Sequence, residues 1–491
     1  MKFNNTYVNL PKSFYAESTP GKFSNPTLLA YNETLADEMG IDLKQYTNHE
    51  LAEIFSGQKI LEGSELISTV YAAHQFGNFV PRLGDGRAML LGEVVNPEGK
   101  RYDVQLKGSG STIYSRNGDG LSALGPVIRE YIVSEAANSL GIPSTRALAA
   151  VSTGDIVYRS GEIPGGVFTR VASSHIRIGS FQYFANRGEY DELIKLLDYS
   201  IDRHYPEIRD EMENNQGNTN LALLFLNKVI RSQVSLVSKW MTFGFIHGVM
   251  NTDNTTISGE TIDFGPCAFM DVYQENKVFS SIDSYGRYAF NNQRSICAWN
   301  LCRLADCLIP LVHKERDEAV KMLNKELSAI PNLLESTWLE SFSPKFGFVH
   351  KEEFKEEDDK IISSFLKYLE NEKLDFTLAF RNLAELILGK TNFYPESKEL
   401  KDFLNNWQQR LKTTDLDNKQ VIELMNSVNP RYIPRNHQVE RAIEHATEGD
   451  PTVFHEMNEL LKNPFTYQKK LDHYSIPPLP EEEIKATFCG T

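Results

Sequence analysis

The segment from Gly244 to Gly265, GFIHGVMNTDNTTISGETIDFG, gathers the side chains of this chain best suited to phosphate chemistry. Asn254 and Asp263 stand nine positions apart and both carry hard oxygen atoms. Such donors hold a divalent cation against phosphate groups. His247 precedes Asn254 by seven positions, and two positions after the histidine comes Val249. Valine has no titratable proton and cannot act as a base. Asp253, immediately before Asn254, can. The segment therefore reads as a metal grip with a carboxylate base beside it.

Groups that could meet the phosphates lie upstream. Two strand-like runs, Ala88 to Val95 and Tyr102 to Leu106, flank the turn Asn96-Pro97-Glu98-Gly99. The first follows Gly84-Asp85-Gly86-Arg87, and the second leads directly into Lys107. A strand-end lysine is commonly a solvated one, but this one sits between a Gly-x-Gly turn and a helix. That helix, GPVIREYIVSEAANSLGIP, opens with Pro126 and is punctuated by Gly141 and Pro143. A kinase-like site needs a glutamate on this helix to hold its strand lysine, and Glu130 fits that place. Glu135 is the alternative, ~140° further round the helix, and a simple dipole-favoured glutamate is the plainer reading of Glu130. The connection GSGSTIYSRNGDGLSALG, with Arg116, Asp119 and Gly120, can bring backbone N–H groups close to phosphates. Arg170, His175 and Arg177 then fall within eight residues of an acidic chain, where guanidinium forks suit a polyphosphate and surface salt bridges are the plainer alternative.

The elements that must position these groups are legible in outline. Residues 1 to about 60 read as an extended lead and then a helix, NPTLLAYNETLADEMGI, with Leu28, Leu29, Leu35, Met39 and Ile41 at roughly helical spacing. A long helical stripe from Leu221 to Phe245 delivers the chain to His247. Cys297, Cys302 and Cys307 recur at steps of five, on no common helix face, and read as buried small apolar residues. From about residue 315 the chain reads as mostly helical, with HKEEFKEEDDK as a solvated face.

The 491 residues, 41% hydrophobic and 24% charged, are those of an ordinary globular protein. A net charge of −15 argues against nucleic-acid and anionic-membrane partners. No uninterrupted apolar run approaches the ~18 residues of a membrane span. Five cysteines, none in C-x-x-C spacing, suit a reducing compartment, and the expected address is cytoplasmic.

Lys107, Glu130, Asn254 and the tripeptide Asp263-Phe264-Gly265 stand in the order of a protein-kinase active site. The implied fold class is α+β, kinase-like and two-lobed, with N-terminal and large helical C-terminal extensions. Its expected divisions are 1–65, an N-lobe at 66–180, a C-lobe at 181–340 and a helical extension at 341–491. The kinase position for the base, however, is Val249. Longer motifs, YAAHQFG, VPRLGDGRA, QLKGSGSTIYSRNGDG, HGVMNTDN, TIDFGP and NPRYIPRNH, resemble the bacterial branch of the selenoprotein O family over nearly the whole chain. That resemblance implies a protein adenylyltransferase, moving AMP from ATP to Ser, Thr or Tyr hydroxyls of proteins, with ATP flipped relative to kinases. It implies a Lys107–Glu130 ion pair and a nucleotide site of Gly84, Gly86, Arg87, Lys107, Asp119, Gly120, Arg170 and Arg177. Asp253 would accept the proton, and Asn254 and Asp263 would bind Mg²⁺ or Mn²⁺. Conventional kinase activity, a catalytically silent scaffold and a UTP-using transferase are the alternatives. Cys489 stands where animal members carry selenocysteine, and a regulatory Cys267–Cys489 bridge is a further expectation, against two unrelated reduced thiols.

Overall fold

The computed structural model describes residues 1–159, 161–214, 220–390 and 392–488. Its first part is built around a nine-stranded, antiparallel sheet. In chain order its elements are β1 (Tyr15–Glu17), β2 (Thr27–Tyr31), α1 (Glu33–Glu38), α2 (Asn48–Ser56), β3 (Ile67–Gln75), β4 (Asn78–Gly84), β5 (Ala88–Val95), β6 (Arg101–Lys107), β7 (Ser122–Ala123), α3 (Leu124–Ser139), β8 (Arg146–Tyr158) and β9 (Glu162–Ala172). The strand order is β1-β3-β5-β6-β9-β8-β2, with β4 added on β3 and β7 on β9. Strands from the first 65 residues thus close both ends of the main path.

The helical part follows with α4 (Ile178–Arg187), α5 (Tyr190–His204), α6 (Glu207–Asn214) and α7 (Leu221–Thr242). The small ribbon β10 (Phe245–Ile246) and β11 (Ala268–Phe269) brackets the segment carrying Asp253 to Asp263. Then come α8 (Gln293–Val312), α9 (Arg316–Leu327), α10 (Ile330–Phe342), α11 (Lys355–Asn371), α12 (Phe376–Ile387), α13 (Lys398–Leu411), α14 (Asn418–Val428), α15 (Asn436–Thr447) and α16 (Thr452–Leu461). The expected α+β class is observed, with the large sheet early and helices late. The last two helices return to pack on α3 through Val439, Ala442 and Phe454.

Alternation along the strands sorts side chains between the two faces of the sheet. Val104 and Leu106 of β6 enter the core formed with α1 and α2. Gln105 and Lys107 therefore point to the opposite face, toward α3. Register places Gln105 opposite Arg170 of β9 and Lys107 opposite Phe168. Cross-strand partners share a face, so Lys107, Gln105 and Arg170 converge beneath α3.

Several sequence expectations change. Leu28 and Leu29 belong to β2, which pairs with β8, and helix α1 starts only after Asn32, whose side chain caps the Leu35 N–H. The helical spacing of the leucines was real, but pairing to the sheet edge outweighed it. Pro126 lies in the first turn of α3 as its third residue, since the helix begins at Leu124. Cys297 and Cys307 are buried, whereas Cys302 is only partly so. In the acidic run, Asp358 is fully buried against Arg410 at 2.6 Å. Two segments, Leu221–Thr242 and Phe290–Val312, are long and apolar enough to cross a membrane by length and composition. Scattered polar residues such as Asn227 and Arg231 hid this from a search for unbroken runs. Half or more of each window is buried within the fold, 56% and 50%.

Candidate active site

A cleft of about 700 Å³ opens between the sheet and the helical part, a size that suits a small-molecule ligand. It is lined by Gly84, Gly86, Arg87, Lys107, Asp119, Gly120, Arg170, Arg177, Asp253, Asn254 and Asp263. Glu130 lies behind this lining, where it holds two of the cations in place.

Lys107 Nζ is 2.5 Å from Glu130 Oε2 and 2.9 Å from Asp263 Oδ1. Glu130 Oε1 also meets Arg170 at 3.4 Å, and Arg170 donates to Gln105 Oε1 at 2.6 Å. Glu135 points elsewhere and pairs with Arg146 at 2.8 Å. The helix turn that separates the two glutamates thus decides between them. Burial alone would raise the Asp263 carboxyl, but Lys107, Arg87 and Arg170 hold it well below the ordinary carboxylate range. Asp263 is consequently an anion in the cleft.

Arg177 is anchored by Asp85 at 3.3 Å, by the Asp253 carbonyl at 3.2 Å, and by the ring of Tyr71, 4.5 Å away. Asp85 in turn accepts from Thr69 Oγ1 at 2.6 Å and from Gln105 at 3.3 Å. Asp85 and Gln105 carry no role in the sequence reading. Asp85 could have been found there, since it stands inside the Gly84–Arg87 turn. Gln105 becomes significant only through strand register.

His175, grouped in sequence with the two arginines, departs from them. Its Nδ1 lies 3.1 Å from Asp103 Oδ2, and burial lowers its proton affinity. Strand alternation does not govern here, because β9 has already ended at Ala172. At the rim, Asp119 forms a two-pronged pair with Arg159, at 2.8 and 3.0 Å. Gly120 has φ +68, and a Cβ there would sit 2.1 Å from the Gly110 carbonyl oxygen. Only glycine permits that backbone crossing.

The segment with the carboxylates is fastened from behind. Buried His247 accepts the Val249 N–H at Nδ1 (3.3 Å), leaving Nε2 to donate to the Ile262 carbonyl at 2.9 Å. Asn254 Nδ2 donates to Val249 O at 3.1 Å and to Asp263 Oδ2 at 3.3 Å. With its nitrogen so engaged, the Asn254 amide keeps Oδ1 as an acceptor. That oxygen and the ionised Asp263 are the hard donor pair a small divalent cation takes. Among the described residues no group of three or more His, Cys, Asp and Glu forms another metal cluster. Asp253 accepts from Gln75 Nε2 at 3.1 Å through Oδ2, while its buried Oδ1 has no partner among the described residues. Burial lifts its carboxyl to about 6, against the pull of Arg177 and Gln75.

A family model described as "Protein adenylyltransferase SelO" matches residues 1–462. The chain belongs to the SelO family. Curated relatives extend the match over the full length. A protein nucleotidyltransferase YdiU of Maridesulfovibrio salexigens is 48% identical, covering 100% of this chain and 98% of its own. One of Bacillus cereus is 47% identical, covering 99% and 98%. This SelO-family chain is therefore a nucleotidyltransferase, and the cleft is where its nucleotide chemistry is sought. Cys267, beyond Gly265, is buried; its thiol donates to Phe264 O at 3.2 Å and is pushed up to about 12 by burial. Its expected bridging partner Cys489 lies outside the described residues.

Proposed function

We propose that this chain is a protein adenylyltransferase in which Asp253 removes the proton from a Ser, Thr or Tyr hydroxyl. The freed oxygen attacks the α-phosphorus of ATP, a phosphorus–oxygen bond forms, and pyrophosphate leaves. The observation that carries the reading is the Asp253 carboxylate, which lines the cleft beside Asn254 and Asp263 with one oxygen unpartnered among the described residues. At the position where a kinase holds its base, Val249 offers only hydrocarbon. The description of the matching family supports the same reaction.

In this reading the sheet with α3 is the small lobe of a kinase-like arrangement, the helices α4 to α10 form the large one, and the later helices are a C-terminal extension whose last two pack back on α3. The Lys107–Glu130 pair supports that assignment, since it links a strand end to α3, the helix packed across β8 and β9. Asn254 and Asp263 would hold Mg²⁺ or Mn²⁺, which as a Lewis acid offsets charge on the phosphates. Arg170 and Arg177, each braced by a carboxylate, would grip the terminal phosphates of a flipped ATP and leave the α-phosphate toward Asp253. Such fixed charges act without reorganising, which is where most of the rate enhancement arises. General-base help adds a further ~10²–10⁴ in rate.

The test is to follow each phosphate. ATP labelled at the α position is expected to leave label on protein, with a mass gain of one adenylate, and γ-labelled ATP is expected to leave none. Label from the γ position would make the chain a kinase, and label from neither would leave a transferase of another nucleotide, such as UTP, or a silent scaffold. Either outcome overturns the proposal.

A further inference from the structure

The end of β3 and the segment carrying Asp253 are joined residue by residue. The His74 N–H donates to Thr252 Oγ1 at 2.7 Å, Gln75 Nε2 to Asp253 Oδ2 at 3.1 Å, and the Phe76 N–H to Asn251 Oδ1 at 2.9 Å. Two further bonds close the array. Thr252 Oγ1 donates to Gln182 Oε1 at 2.6 Å, and Gln182 Nε2 donates to His74 Nδ1 at 2.7 Å. The Tyr288 hydroxyl donates to the same Asn251 oxygen at 2.6 Å. A sheet strand is thereby fixed to a loop some 178 residues away.

The backbone at this point is held against its preference. Gln75 pairs with Asn78, so Phe76 and Gly77 form a two-residue hairpin loop with φ of 48° and 84°. Mirror-image turns of this kind fit the strand twist and ask for positive φ at both central positions. Glycine adopts it freely, whereas the Cβ of a bulky residue crowds the following carbonyl oxygen there. Phe76 is kept there by its bond to Asn251 and by its ring against Tyr288, 5.1 Å between centroids. Strain of this sort persists where the surroundings over-determine it, and it concentrates at functional sites.

The consequence falls on one carboxylate. Asp253 lines the cleft, its buried Oδ1 has no partner among the described residues, and Gln75 bonds Oδ2. We propose that Gln75 is a positioning residue for nucleotidyl transfer: its amide fixes the rotation of the Asp253 carboxylate and so reserves Oδ1 for the acceptor hydroxyl. Gln75 lines the same cleft, and its proposed role is exerted through Asp253 rather than on the transferred group. The inference rests on the assignment of Asp253 as the base. It adds that the base is aimed from the sheet, across the cleft, rather than by its own loop.

Steady-state kinetics of the full chain with ATP and a protein acceptor test this. Gln75→Leu keeps the bulk and removes the donor. It is expected to lower kcat by about 10- to 100-fold, the scale of a misaimed catalytic group, with KM for ATP unchanged. In an Asp253→Asn background the same substitution is expected to change nothing further, because the group it aims is gone. Gln75→Met, which keeps the length without any polar atom, serves if the leucine variant melts early, and the same kcat loss is expected. An unchanged kcat, a rise in KM alone, or an equal extra loss on top of Asp253→Asn would overturn the role of Gln75. Full activity of Asp253→Asn would instead overturn the base assignment, and the inference would fall with it.

Discussion

Asp263 is held as an anion by three cations, yet it leaves the neighbouring Asn254 oxygen available. If these two side chains grip the metal, they are not interchangeable with their neutral or shortened forms. Asp263→Asn preserves volume and removes the charge; transfer of α-label to protein is expected to fall to background. Asn254→Ala is expected to reduce it by about 10²-fold or more, on the scale of losing one electrostatic contact to the reacting phosphates. Lys107 retains Glu130 in either variant, so circular dichroism should report an unaltered fold. Wild-type transfer by folded Asp263→Asn would remove the metal-grip assignment. At this scale the sequence was most informative where chemistry is local. Asp253, Asn254, Asp263 and Lys107 stand out because their types are costly to bury without purpose. Gln75, Asp85 and Gln105 did not stand out, because an amide or aspartate acquires meaning only from the partner that register and tertiary packing supply.

Elements were legible wherever one periodicity ran unopposed, as in α7 and in β5 and β6. They were misread where two patterns competed. Leu28, Leu29 and Leu35 fit a helical stripe, but the backbone groups at Thr27–Tyr31 complete a sheet edge, which no local pattern announces. The C-terminal tail is a different case, since the run SIPPLPEEE offers no periodic pattern to place it. Thr487 pairs beside Ser280, donates its N–H to Phe279 O at 2.7 Å and its hydroxyl to Pro266 O at 2.5 Å. The tail thus braces the segment just past Asp263. Thr487→Val deletes the hydroxyl bond and strands a buried carbonyl, a loss of about 1 kcal/mol. In a chain of this size that is a fall of about 1–2 °C in Tm. Differential scanning calorimetry showing no change would mean that the tail does not brace this segment.

At the scale of the whole molecule, one buried charge network joins parts that the sequence keeps far apart. Arg203 of α5 donates to Asp103 Oδ1 on β6 at 2.5 Å, to Glu93 Oε2 on β5 at 2.8 Å and to the Ser173 carbonyl. Glu93 Oε1 accepts the Thr6 and Tyr7 N–H groups at 2.7 and 2.6 Å, and Oε2 also meets Arg101 at 3.1 Å. Asp103 Oδ2 accepts from the His175 N–H at 3.0 Å. The N-terminal lead, the sheet and the first helices are therefore fastened together at Asp103, on the same face of β6 as Gln105 and Lys107 but toward the other end of the strand. Burial alone would raise the Asp103 carboxyl, but Arg203 and His175 draw it down to about 2. Its folded proton affinity is thus lower than the unfolded value of about 3.9. The stability it contributes is complete above pH ~4, falls as the unfolded chain alone takes up the proton, and is gone below about 2. Asp103→Asn is accordingly expected to cost on the order of 2 kcal/mol at neutral pH, with the gap in thermal midpoint closing as pH drops from about 4 toward 2. A gap that stays constant across that window would show that Asp103 is not the titrating link between α5 and the sheet.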